Sequence, residues 1–195
     1  MQQVLKKYPT ILCLGKELNP SIGEKALAHR TKGEIALNEE VPSLALMRTT
    51  YGKDGTVEWL KIQFKDLFHF VEIETGNDDN QIRELSKLIL AKYYYLNAAE
   101  IIYFCAECKL AMYGKFYSKA GVQQLAEMLK SYINARNREI ASIEQRKNAE
   151  RIEAQQNGYK AYIARLMEKA KQGDEEAKEL LTKHGQIYGT EECYN

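Results

Sequence analysis

Two groups of side chains between Lys92 and Lys119 have types and spacings that could do chemistry. The first is Cys105-x-x-Cys108, the spacing of a dithiol redox pair or of half a zinc site. The second interleaves rings with cations: Lys109, Tyr113, Lys115, Phe116, Tyr117 and Lys119, with Arg136 and Arg138 downstream. Exposed rings offer unpaired bases a surface to stack on, and lysines neutralise phosphates without any demand on base sequence. Which chemistry either group can reach depends on where its side chains point, and therefore on the elements that carry them.

The segment Leu96-Asn97-Ala98-Ala99-Glu100-Ile101 is a strongly marked helix start. Asn97 is the cap, Glu100 stands at the reciprocal capping-box position, and Leu96 and Ile101 are the two ends of a hydrophobic staple. On this helix Ala98, Ile101, Ile102, Cys105, Cys108 and Met112 share one apolar face, with Gly114 as its terminator. Both cysteines are thus expected in the core, whereas a reactive dithiol needs its first cysteine at an exposed helix N-terminus. A zinc site needs a second ligand pair, and Cys13, Cys193, His29, His69 and His184 are scattered singly. No metal or cofactor is implied. No phosphate-binding loop, dinucleotide fingerprint, nucleophile elbow or zinc-protease helix occurs either, so the chain reads as a binding protein and not an enzyme.

The flanking elements are helical as well. Asp78 or Asp79 can cap a helix carrying Ile82, Leu85, Ile89 and Tyr93 on one stripe, and Ser118 a later one carrying Val122, Leu125, Leu129, Tyr132 and Ile133. Upstream, Leu60, Phe64, Leu67, Phe68 and Val71 fit a helix from about Val57. The first 56 residues, interrupted by glycines and prolines, are expected as short helices and loops. Beyond Ile133 the sequence turns polar, with pairs such as Arg146 and Glu150 at four-residue spacing, which predicts a long exposed helix. A break is expected at Asn157-Gly158, then a hairpin turning at Gly173 and Asp174 and closing at His184-Gly185. The fold class is all-α: an N-terminal region 1–56, a central antiparallel bundle 57–139, and a long polar helix with a C-terminal helical hairpin, 140–195.

Charge narrows the function classes. The whole chain is balanced at +1, so no global field draws it to a polyanion. Counted by segment, 1–78 holds 10 basic and 11 acidic residues, 79–139 holds 9 and 6, and 140–195 holds 9 and 10. The middle segment, at +3, is the one that also carries the aromatic cluster. No window approaches the roughly 18 apolar residues of a membrane span, and no secretory leader is evident. A cytoplasmic protein with reduced thiols and no membrane partner is expected.

The run from Asn80 to Ile140 resembles an uncharacterised family of small helical proteins from Bacteroidetes phages, plasmids and conjugative elements. The likeness rests on Gln81, on Tyr94, Tyr95 and Leu96 stepping into a helix, on Tyr113, Gly114, Phe116 and Tyr117 at a connection, and on Tyr132 followed by Arg136. It extends over about residues 57–140. Relatives often carry an acidic residue after the connection, where this chain has Ser118, Lys119, Ala120 and Gly121. The resemblance implies no reaction and no catalytic residues; its mobile-element setting implies replication, transfer or regulatory partners. The leading expectation is an accessory protein contacting nucleic acid, or a replication protein, through Lys109, Tyr113, Lys115, Tyr117, Lys119, Arg136 and Arg138. The rival is a protein-protein adaptor acting through the 134–157 helix, with a host protein or a second copy of the chain as partner.

Overall fold

The computed structural model describes residues 2–22, 30–72, 79–116 and 121–188. Among these the fold is all-α: eight α-helices, a single 3-10 turn at Pro20–Ile22, and no strand beyond an isolated antiparallel bridge between Ser43 and Asn97. The helices are α1 (Gln2–Lys7), α2 (Ile11–Glu17), α3 (Lys32–Ala36), α4 (Leu44–Phe70), α5 (Asp79–Lys92), α6 (Ala98–Lys109), α7 (Gly121–Lys171) and α8 (Glu175–Tyr188). The chain divides into two compact units, Met1–Ile143 and Glu144–Asn195, with the division inside α7.

In the first unit α4 is the central element, packed against α2, α5 and α6. It begins at Leu44 and not near Val57, because the Ser43 hydroxyl accepts the Leu46 N–H and caps it there. Gly52, at φ 82°, kinks it between the early turns and the apolar stripe Leu60, Phe64, Leu67 and Phe68. The N-terminal helices join this core through Val4, Tyr8, Leu14, Leu18 and Ile35. Their main polar anchor is the Leu18 carbonyl, which accepts the Trp59 indole N–H at 2.9 Å and the Gln63 amide at 3.3 Å.

At the start of α6 the Asn97 side chain accepts the Glu100 N–H at 2.9 Å and Glu100 returns the bond to the Asn97 N–H at 2.9 Å, the expected capping box. Leu96 and Ile101 are both fully buried. The other end differs from expectation. The helix stops at Lys109, five residues before Gly114, in a Schellman turn: the Ala111 N–H bonds the Cys108 carbonyl and the Met112 N–H the Glu107 carbonyl. Ala111 takes the left-handed position, φ 55°, normally filled by glycine. Met112 therefore leaves the buried face on which its spacing placed it and is exposed.

The expected break at Asn157-Gly158 does not occur, and α7 continues for 51 residues. One glycine in a helix costs only about 1 kcal/mol, and no packing demand opposes continuation, since both residues are exposed. In the second unit Ile163 and Leu166 pack with Ala177, with Met167, Ala170, Leu180 and Leu181 around them. Gly173 (φ 97°) makes the turn and Asp174 caps α8 by accepting the Ala177 N–H at 3.1 Å. That helix runs past His184-Gly185 to Tyr188. The expected cap Ser118, Asp78 as a helix start, Cys193 and His29 lie outside the described residues.

Candidate binding surfaces

The cations expected to meet phosphate are mostly held by carboxylates. Lys109 Nζ is 2.5 Å from Asp66 on α4 and 5.1 Å above the Phe70 ring. Arg136, whose side chain is largely buried, donates from Nε to Glu100 Oε1 at 2.5 Å. Glu100 is fully buried, and its carboxyl is pushed up by that burial, with Arg136 and the Asn97 N–H opposing. The Tyr132 hydroxyl adds a weaker pull towards the ionised Glu100, and it has no hydrogen-bond partner among the described residues.

Tyr113 is half-buried, and its hydroxyl donates to Glu107, which also takes Lys32 at 2.5 Å. Burial, then the Glu107 carboxylate, raises its phenol well above the usual range. Phe116 stands edge-on to Phe68 at 6.1 Å and closes that end of the bundle. Lys115 and Arg138 are exposed and without an ion-pair partner among the described residues. Tyr117 and Lys119 lie outside them. So of the seven residues grouped by sequence, two are tied into internal ion pairs, one into an internal hydrogen bond, and two face solvent freely.

Nearby, α3 lies close against α6 and α7. The Gly33 N–H donates to Glu139 at 2.9 Å, and a Cβ there would meet Ile143 at 2.8 Å. The Asn97 amide donates to the Ile35 carbonyl at 2.8 Å. Cys105 and Cys108 are buried as free thiols, and burial raises Cys105 to about 12 and Cys108 further in the same direction. Among the described residues no group of three or more His, Cys, Asp or Glu side chains could hold a metal ion. No described helix is long and apolar enough to cross a membrane.

Two surfaces remain. The first is a mainly apolar groove of about 370 Å³ between the C-terminal halves of α4 and α6, lined among others by Gln63, Phe70, Ile102 and Leu110, with the Lys109–Asp66 pair also in its wall. Phe70 is 60% exposed and Leu110 64%, and Met112, just past the Schellman turn, is 64% exposed. Buried Gln63 leaves its Oε1 without a donor. The second is the turn between α5 and α6, where Tyr94 and Tyr95 are exposed and ring-edge contacts join Tyr93, Tyr94 and Tyr95.

Sequence reasoning missed the groove because its walls come from elements about forty residues apart. The available signal was Phe70 at the end of the α4 pattern and off its apolar stripe.

A profile of a family of unknown function, DUF6633, matches residues 79–177, just over half of the chain. The chain belongs to that family. No curated protein and no solved structure matches it. The DUF6633 segment holds α5, α6, α7 and the first residues of α8, and with them the tyrosine turn, Glu100 and Arg136. Asp66, Gln63 and Phe70 stand before it, so the groove joins a wall inside the segment to one outside.

Proposed function

We propose that the chain is a non-catalytic binding module that docks an apolar-anchored segment of a partner protein in the groove between α4 and α6. The observation that carries this is one mainly apolar groove with two large side chains in its wall, Phe70 and Leu110, each at least 60% exposed, and Met112, 64% exposed, two residues beyond Leu110. Contiguous exposed apolar surface marks interaction sites, whereas single exposed side chains do not. Two further features support it. About 370 Å³ lies at the small end of the ligand-pocket range, which suits one or two side-chain anchors. The left-handed Ala111 sits between Leu110 and Met112, so the chain turns there and Met112 leaves the buried face of α6.

Phosphate binding through the same connection is less well supported, because Lys109 already meets Asp66 and Arg136 already meets Glu100. Self-association through 134–157 has little to bury: Ile152 is the one large apolar side chain exposed there among the described residues. A phage or mobile-element setting, as the resemblance implies, would make replication or transfer proteins the first partners to try.

The test is a displayed random-peptide selection on the wild-type chain, followed by affinity measurement on Leu110→Asp. Full burial of a leucine contributes about 1.5–3 kcal/mol, so selected peptides with apolar anchors are expected to lose roughly tenfold or more in affinity. A selection yielding no binder, or binders that hold equally to Leu110→Asp, would overturn the proposal.

A further inference from the structure

The turn between α5 and α6 has features the groove does not use. Its backbone is pinned: the Ala45 N–H donates to the Tyr94 carbonyl at 2.7 Å, the Leu44 N–H to the Leu96 carbonyl at 2.8 Å, and the Leu96 N–H to the Tyr93 carbonyl at 3.0 Å. On this fixed turn Tyr94 is 54% and Tyr95 42% exposed. Tyr95 makes perpendicular ring contacts with Tyr94 at 5.9 Å and with Tyr93 at 6.4 Å, so the rings brace each other. Arg136 lies 5.4 Å from the Tyr95 ring centroid and Lys92 5.7 Å from that of Tyr93. Arg48 is exposed one helical turn beyond Ala45, the residue bonded to Tyr94. Lys92 and Arg48 have no ion-pair partner among the described residues, unlike Lys109 and Arg136.

We propose that this turn is a binding site for single-stranded nucleic acid, with unpaired bases stacking on Tyr94 and Tyr95 and phosphates meeting Lys92 and Arg48. Rings held on a rigid turn lose little conformational freedom when a base stacks on them. Arg136 acts here through its guanidinium face against Tyr95, because its charge is balanced internally by Glu100. A duplex, whose bases are already stacked, has no use for the tyrosines, and this separates the proposal from general attraction to a polyanion.

The experiment is fluorescence anisotropy of the full chain with a labelled oligothymidylate, against a duplex of the same length, at two salt concentrations. Two phosphate contacts give a salt slope of about −1.4 for a single strand, or roughly fivefold weaker binding for a threefold rise in salt. Tyr94→Ala and Tyr95→Ala are each expected to weaken binding about tenfold, with Trp59 fluorescence confirming the native fold. Leu110→Asp is expected to bind the oligonucleotide as wild type does, so failure here and failure of the groove are read separately. Absence of binding at low salt, a duplex bound as tightly as the single strand, or unchanged affinity in both tyrosine variants would overturn the assignment.

Discussion

Replacing Arg136 with methionine keeps most of the stem's packing and removes the charge that balances Glu100. Glu100 is fully buried, and it would keep only the Asn97 N–H at 2.9 Å as a hydrogen-bond donor. Removing one partner of a buried ion pair typically costs about 3–5 kcal/mol, because the remaining charge is left uncompensated. The loss must depend on pH. Burial already raises the Glu100 pKa above its ordinary value of 4.5, and losing Arg136 raises it further. A group whose folded pKa exceeds its unfolded value contributes stability below the unfolded pKa and loses it as pH rises through the folded pKa. Arg136→Met should therefore be strongly destabilised at pH 7 and approach wild type as pH falls towards 4.5. Urea unfolding followed by Trp59, the single tryptophan, buried in the same unit and bonded to the Leu18 carbonyl, gives the readout. Glu100→Gln in the Arg136→Met background removes the stranded charge and keeps a capping-box side chain, so it should restore much of the loss at pH 7. A loss below about 1 kcal/mol at pH 7 would place the pair in the class of weak surface bridges and refute the reasoning. So would a loss that is the same at both pH values.

Two other substitutions or labels test the elements around the surfaces. Ala111→Gly relieves a left-handed residue at the end of α6 and should raise stability by about 1 kcal/mol in the same urea assay, whereas a decrease would contradict the Schellman geometry. Under native conditions a thiol reagent should label half-exposed Cys13 well before Cys105 and Cys108, which wait for unfolding, because burial hides both thiols and keeps them protonated. Rapid native labelling of either would revive a thiol chemistry on α6.

What was legible in the sequence was local. Asn97 and Glu100 are three residues apart, and the chemistry that makes them a capping box needs nothing from elsewhere, so helix start and cap agree with the structure. Gly173 and Asp174 announce their turn for the same reason. Ala111 makes a Schellman turn of the same pattern as Gly173 but carries no glycine to announce it, and the end of α6 was accordingly placed too late. Kinked α4 shows the converse: Gly52 looks like an interruption, yet the chain resumes its helix on the far side because Leu60, Phe64 and Leu67 are needed in the core.

The candidate site was less legible because charge counting sees composition and not pairing. The +3 of segment 79–139 is real, but Lys109 finds Asp66 from forty-three positions upstream, and Arg136 finds Glu100 thirty-six positions before it. In each pair the two partners stand on different helices, so no local rule could have joined them. Once the pairs are made, the end of α6 keeps Lys115 as its free cation among the described residues, and Lys92 stands free beside the Tyr93 ring at the α5–α6 turn. Both surfaces sit in the first unit, yet they divide differently over the chain. The tyrosine turn draws its rings and Lys92 from the family segment, while the groove borrows Gln63, Asp66 and Phe70 from the helix before it. A partner of the groove must read α4 and α6 together, and a nucleic-acid strand at the turn need read only the family segment and one arginine of α4.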